Sequence, residues 1–201
     1  MIKKIFILLL ISSLSLIKAQ DEVVPDLLSI PGPIELDGTE YLLSWSKPVS
    51  KTLFRQQYLP REETIDNFTQ LIDFSYFSKE IDLELAVRQK VESLQKREKS
   101  DKYMKINVTE SPDGNEFIVD YIISETPEKG DAYVEYNIYR FKSMENANQK
   151  SFLILGFIKR VYGDDLKSAS KSLVRQRDHL MITAIEYKIP EIKVGVTQSG
   201  K

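Results

Sequence analysis

No cysteine occurs in the 201 residues, and His179 is the single histidine. Without cysteine there is no disulfide, no thiol nucleophile and no thiolate ligand. The usual Cys/His set of a structural zinc site cannot be assembled. His179 has Asp178 beside it, but neighbours on a helix point about 100° apart, so Asp178 is badly placed to orient the ring. No G-x-S-x-G turn, no GxxxxGK[ST] phosphate loop and no strand–GxGxxG–helix is present. Basic excess is missing too: 28 Lys and Arg face 30 Asp and Glu, a formal charge of −2. Nucleic-acid binding wants a clustered basic face, and this composition offers none. After the first twenty residues no apolar run approaches the roughly 18 residues of a membrane helix. These absences leave no catalytic residue, no metal ligand and no cofactor to nominate.

What is present begins with "MIKKIFILLLISSLSLIKAQ". Lys3 and Lys4 supply a positive start, Ile5 to Ile11 an apolar core, and Ile17 with Ala19 a cleavage site. Residues 1–19 therefore read as a signal peptide, with export to the periplasm or the medium. No cysteine follows the apolar core, which excludes a lipoprotein anchor. Its removal takes away Lys3, Lys4 and Lys18 and no acid, leaving 25 basic against 30 acidic residues, a net charge of −5. The remaining chain of about 180 residues suits one domain with its own core.

Residues 20–38, rich in proline, read as a surface segment leading in, with room for a short strand near Ile34–Leu36. Residues 39–189 carry the regular patterns, and 190–201 read as a flexible tail. "EYLLSWSK" alternates, and "KTLFRQQYL" follows as its hairpin partner. The stretch "YLPREETIDNFTQLIDF" breaks at Pro60. Thr64 there suits the cap of a short helical turn that puts Ile65 and Phe68 into the core. "QLIDFSYF" is a further strand. Leu83, Ala86, Val87, Val91 and Leu94 make the apolar stripe of a long helix, with acids at its start and cations at its end. Four strands follow, two of them joined by "SPDGNE", and "SFLILGFI" is apolar enough for a central strand. Asp164 or Asp165 caps a last helix through Leu173 and Leu180.

This order predicts an α+β domain: a curved antiparallel sheet of about six to seven strands with two long helices. In the order and length of elements over residues 40–188 it resembles the PsbP-like fold. "YLPREETIDNFTQLIDF" is similar to a segment of uncharacterised exported bacterial proteins. The PsbP-like resemblance implies an accessory or assembly factor that docks on a membrane complex or a client.

Candidate chemistry is thin. Glu62 and Glu63 are the most conspicuous acid pair, yet sequence neighbours diverge, whereas glycosidase carboxylates converge across about 5–10 Å. "GDDLKS" and "SPDGNE" offer oxygens without the spacing of a calcium loop. Aromatic residues remain. Tyr133, Tyr139 and Phe141 share the strand face opposite Val134, Tyr136 and Ile138. That face is either covered by a helix or a recognition surface, and tyrosine suits both.

The function expected is a non-enzymatic, monomeric binding or accessory protein of the bacterial envelope, with an unknown protein or envelope partner held on this face. The alternatives are a carboxylate-dependent envelope hydrolase and a carrier of small apolar ligands. A convergent acid pair in a cleft would favour the first alternative, and a closed apolar cavity of about 300 Å³ or more the second.

Overall fold

The computed structural model describes residues 24–146 and 149–195. The expected signal peptide, residues 1–19, lies outside the described residues, as does the end of the tail. The elements are β1 (Ile34–Leu36), β2 (Thr39–Pro48), β3 (Leu53–Pro60), β4 (Gln70–Phe77), α1 (Leu83–Glu98), β5 (Lys105–Glu110), β6 (Glu116–Glu125), β7 (Tyr133–Asn146), β8 (Gln149–Tyr162) and α2 (Leu166–Glu186). The strands form one sheet of eight in the order β1-β2-β3-β4-β8-β7-β6-β5. Every pairing is antiparallel.

Two four-stranded meanders thus meet at the β4–β8 seam. β8 can sit there because Phe152, Leu153, Leu155 and Phe157 bury side chains on both faces. Side chains alternate across a strand, so register decides which residues share a face. One face carries Tyr58, Phe74, Tyr136, Ile138 and Leu155 under the Ala169, Leu173, Met181 and Ala184 stripe of α2. The other carries Val119, Tyr121, Phe141 and Phe152 under Val87 and Leu94 of α1. Both helices start on an aspartate: Asp82 accepts from the Leu85 amide at 2.8 Å, and Asp165 from the Ser168 amide at 3.0 Å. α1 packs on β5, β6 and β7. Its Ala86, Gln89 and Lys90 share a cleft with Asp73 of β4 and Ile154 of β8, and neither described helix packs on the β2–β4 half of that face.

The expected α+β domain of about six to seven strands is corrected by this architecture. The molecule is mostly sheet, a single open antiparallel sheet of eight strands with only two helices. The eighth strand is β1, at the Ile34–Leu36 position where the sequence left room for a short strand; its three residues pair with β2, Ile34 opposite Tyr41. The PsbP-like resemblance rested on the order and length of elements over residues 40–188 and is not carried further.

The segment at 20–38, where it is described, lies partly on the surface, with Pro25, Asp26, Ser29 and Pro31–Pro33 exposed, and partly in the core. Leu27, Leu28, Ile30 and Ile34 are buried. The Leu28 amide donates to Gln56 Oε1 at 2.6 Å, so the fully buried Gln56 anchors the segment beneath β3. The tail is also engaged: the Lys193 amide donates to Leu28 O and the Gly195 amide to Leu27 O, and Ile192 is buried. Proline content had masked an apolar Leu-Leu-x-Ile run that the core uses.

The stretch after Pro60 forms no helical turn. Thr64 and Asn67 pair with each other as an isolated bridge. Phe68 is buried, whereas Ile65 is exposed. The Glu63 carboxylate clamps the loop by accepting from the Thr69 amide at 2.8 Å and the Thr69 hydroxyl at 2.5 Å.

Candidate functional site: a cleft between the first helix and the sheet

On the α1 face, β4 presents Leu71, Asp73, Ser75 and Phe77. Register sets Gln57 of β3 opposite Asp73 and Arg55 opposite Ser75. Asp73 is only 2% exposed, so its charge needs partners. Arg55 supplies them: its Nε lies 2.9 Å from both carboxylate oxygens and its Nη2 donates as well. Gln57 Nε2 adds a bond of 3.2 Å. The bond to Asp73 is the main reason the Arg55 pKa is raised. The pair is neutral overall and rigid.

On the far side of β4 the next strand contributes no side chain opposite Asp73. Gly156 pairs with Asp73 on one side and Tyr139 on the other. A Cβ there would meet Tyr139 Cε1 at 2.8 Å. The missing side chain lets the Tyr139 ring settle over the β8 backbone. Tyr139 stacks on Tyr121 of β6, centroids 5.9 Å apart and planes 6° from parallel.

α1 brings Lys90 over this stack. Its Nζ lies 4.7 Å from the Tyr121 centroid and 4.6 Å from that of Tyr139, and donates to the Tyr121 hydroxyl at 3.0 Å. Among the described residues no carboxylate forms an ion pair with it. Asp73 is held by Arg55, and Glu135 by Arg160 at 2.6 Å. Burial pushes the Lys90 pKa down, with the more distant Glu135 and Asp73 opposing. Burial likewise pushes the Tyr139 and Tyr121 hydroxyls above their ordinary value, so both stay protonated.

These groups wall a cleft of about 450 Å³. Phe77, Ile81, Phe141, Phe152 and Ile154 line its apolar part, and Arg55, Asp73, Lys90 and Tyr139 its polar part. Among the described residues no nucleophile lining the cleft stands beside an unpaired base, and the one carboxylate of its lining is held by Arg55.

Two other depressions offer less. The space between α2 and the sheet holds only about 30 Å³, room for a water and far below a ligand cavity. A groove of about 530 Å³ between α1 and β5 is larger, but it is shallow, and Glu84, Glu92 and Glu110 line it with their carboxylates exposed. It has no buried polar group on its floor, so its volume is weaker support than the cleft's chemistry.

Tyr139 and Phe141 both line the cleft. Tyr133 is on the same face but six residues away, roughly 20 Å along the strand. There it packs edge-on against Tyr162 and beneath the Arg160 guanidinium, 4.2 Å from its ring. The trio is therefore not one patch. His179 sits on α2 with Nε2 2.9 Å from Asp37, a surface contact remote from the cleft. Among the described residues no group of three or more His, Asp or Glu is arranged to hold a metal ion. No described helix is long and apolar enough to cross a membrane.

Arg55, Asp73, Lys90 and Gly156 were not singled out in sequence. Two signals were available: an acid inside the apolar "LIDFSYF" and a glycine inside "FLILGFI".

No curated protein and no solved structure matches this chain. A protein-family model does match, over residues 28–189, which takes in every strand and both helices. The chain belongs to that family, an uncharacterised one.

Proposed function

We propose that this chain is an exported, non-enzymatic binding protein whose ligand occupies the cleft between α1 and the β4–β8–β7 floor. One observation carries the reading: an unpaired, half-buried lysine ammonium is held over two tyrosine rings at the wall of a 450 Å³ cleft. The rings and one hydroxyl offset part of the cost of desolvating this charge, but no carboxylate completes the compensation, which leaves room for an anion. The cleft volume falls in the range of about 300–1,000 Å³ used for small molecules, and its lining mixes apolar walls with few polar groups. Export rests on the Lys3–Ala19 pattern. Hydrolysis by paired carboxylates finds no support in the cleft, whose single acid, Asp73, is committed to Arg55.

The test is thermal unfolding of the purified chain against a panel of small acids, alcohols and amines, repeated on Ser75→Trp, which fills the cleft from its half-exposed floor. A ligand present at 100 times its Kd should stabilise the native chain by about 2.7 kcal/mol. We expect stabilisation by members of one class, lost in Ser75→Trp. Stabilisation that persists unchanged in that variant would move the site elsewhere.

A further inference from the structure

We propose that the ligand is a monoanionic amphiphile: a carboxylic acid whose carboxylate docks on Lys90 Nζ and whose apolar body lies along Phe141, Phe152 and Ile154. This rests on the binding reading above and adds the charge and polarity of the ligand. Three observations lead to it.

The first is a count of charges on the face. Arg55 is neutralised by Asp73 and Arg160 by Glu135, which leaves Lys90, among the described residues, as the one cation lining the cleft without a counterion. One uncompensated positive charge fits one negative charge. A phosphate dianion would be left with excess charge in a partly desolvated site.

The second is preorganisation. The ammonium is drawn to the faces of two parallel rings and hydrogen-bonded to one hydroxyl, which uses one of its three protons. Two N–H donors remain for an acceptor, and the Tyr139 ring that helps fix their position rests over Gly156. Little ordering is needed when an anion arrives.

The third is layout. Polar groups gather at one end of the wall, at Lys90 and Gln89 of α1 and at Arg55, Asp73 and Ser75 of the sheet, and the rest of it is aromatic or aliphatic. A molecule matching that pattern has one polar end and an apolar body. Body shape is the remaining variable, and flexible aliphatic and flat aromatic bodies are the two sources.

The experiment is calorimetric titration of the full chain with octanoate, 3-phenylpropionate, 1-octanol and octylammonium, on the wild type, Lys90→Met and Lys90→Arg. Quenching or shift of emission from Trp45 provides a second readout, since Trp45 pairs with Gln57, the neighbour of Asp73 on the same face. The expected result is saturable binding of at least one of the two acids, with the stronger identifying the body. Octanol should bind at least about tenfold more weakly and octylammonium not at all, and Lys90→Met should lose about ten- to a hundredfold in affinity, the worth of a charged hydrogen bond. Lys90→Arg should recover much of that loss. Octanol binding as tightly as octanoate, or Lys90→Met binding unchanged, would overturn the charge assignment while leaving the cleft as a binding site. If none of the four probes binds, the cleft reading itself falls. Circular dichroism and the unfolding midpoint of Lys90→Met check that it folds.

Discussion

Gly156 shows how much can hang on an absent atom. Tyr139 occupies the space where a β-carbon would stand, and a Cβ there meets its ring at 2.8 Å. Gly156→Ala should therefore push Tyr139 off the β8 backbone and cost about 1–3 kcal/mol in urea unfolding, the usual cost of overpacking. Ligand affinity should fall with it. A neutral substitution would mean that the ring moves without cost. Phe68 and Ile65 make a paired case. Phe68 is 6% exposed, under the Arg160 guanidinium at 3.9 Å, and Ile65 is 36% exposed. Phe68→Ala should cost about 3–5 kcal/mol, and Ile65→Ala no more than about 0.5. Equal costs would contradict this placement. The burial of Phe68 was legible from its apolar character next to a strand. The exposure of Ile65 was not, because a helical turn and a bridged turn place the residue after Thr64 differently, and the sequence supports either.

At the scale of elements, the long-range bonds of β7 tie the sheet to the end of α2. Arg140, buried on the α2 face, donates from Nη1 to the carbonyls of Ala184 at 2.7 Å and Tyr187 at 2.9 Å. It thereby satisfies acceptors that the last helical turn leaves open. Its Nε and Nη2 hold Glu116 of β6, which Lys142 also reaches at 3.0 Å. Burial raises the Glu116 pKa, but the bonds and charges of Arg140 and Lys142 outweigh it and leave the carboxyl below its ordinary value. A depressed acid contributes stability that is fully present above the unfolded value of about 4.3 and is lost as pH falls through the lower folded value. Glu116→Gln should cost about 1.5–3 kcal/mol at neutral pH and flatten part of the acid limb of the stability curve, read by urea melts from pH 7 to 3. An unchanged acid limb would show that other carboxylates set it. The helices themselves were readable: Asp82 and Asp165 cap them and the apolar stripes face the sheet. Which face each helix covers was not readable, since the linkers permit either side.

For the whole molecule, the two ends of the described chain close on each other. Ile192 is 3% exposed, and the amides of Lys193 and Gly195 bond the carbonyls of Leu28 and Leu27. Deleting residues 190–201 should lower stability by about 1.5–3 kcal/mol, the worth of one buried large aliphatic side chain, with Leu27 and Leu28 newly exposed. A truncated chain with an unchanged urea midpoint would show that the contact is dispensable. Hydrogen exchange at the Leu28 amide, which Gln56 accepts, would report the same event locally.

Period and punctuation determined most of the strands and both helices, because alternation, caps and glycine turns act over a few residues. They also marked Tyr139 and Phe141 as sharing a face. Only tertiary structure decided the strand order, the burial of Leu27, Leu28 and Ile30 in the leading segment, and the cleft. Arg55, Asp73, Lys90, Tyr139 and Gly156 come from five different elements. Their meeting depends on β4 pairing with β8, a contact between strands some 80 residues apart in register, such as Asp73 with Gly156. Local pattern carries no record of such a pairing; the need to bury β8 on both faces creates it.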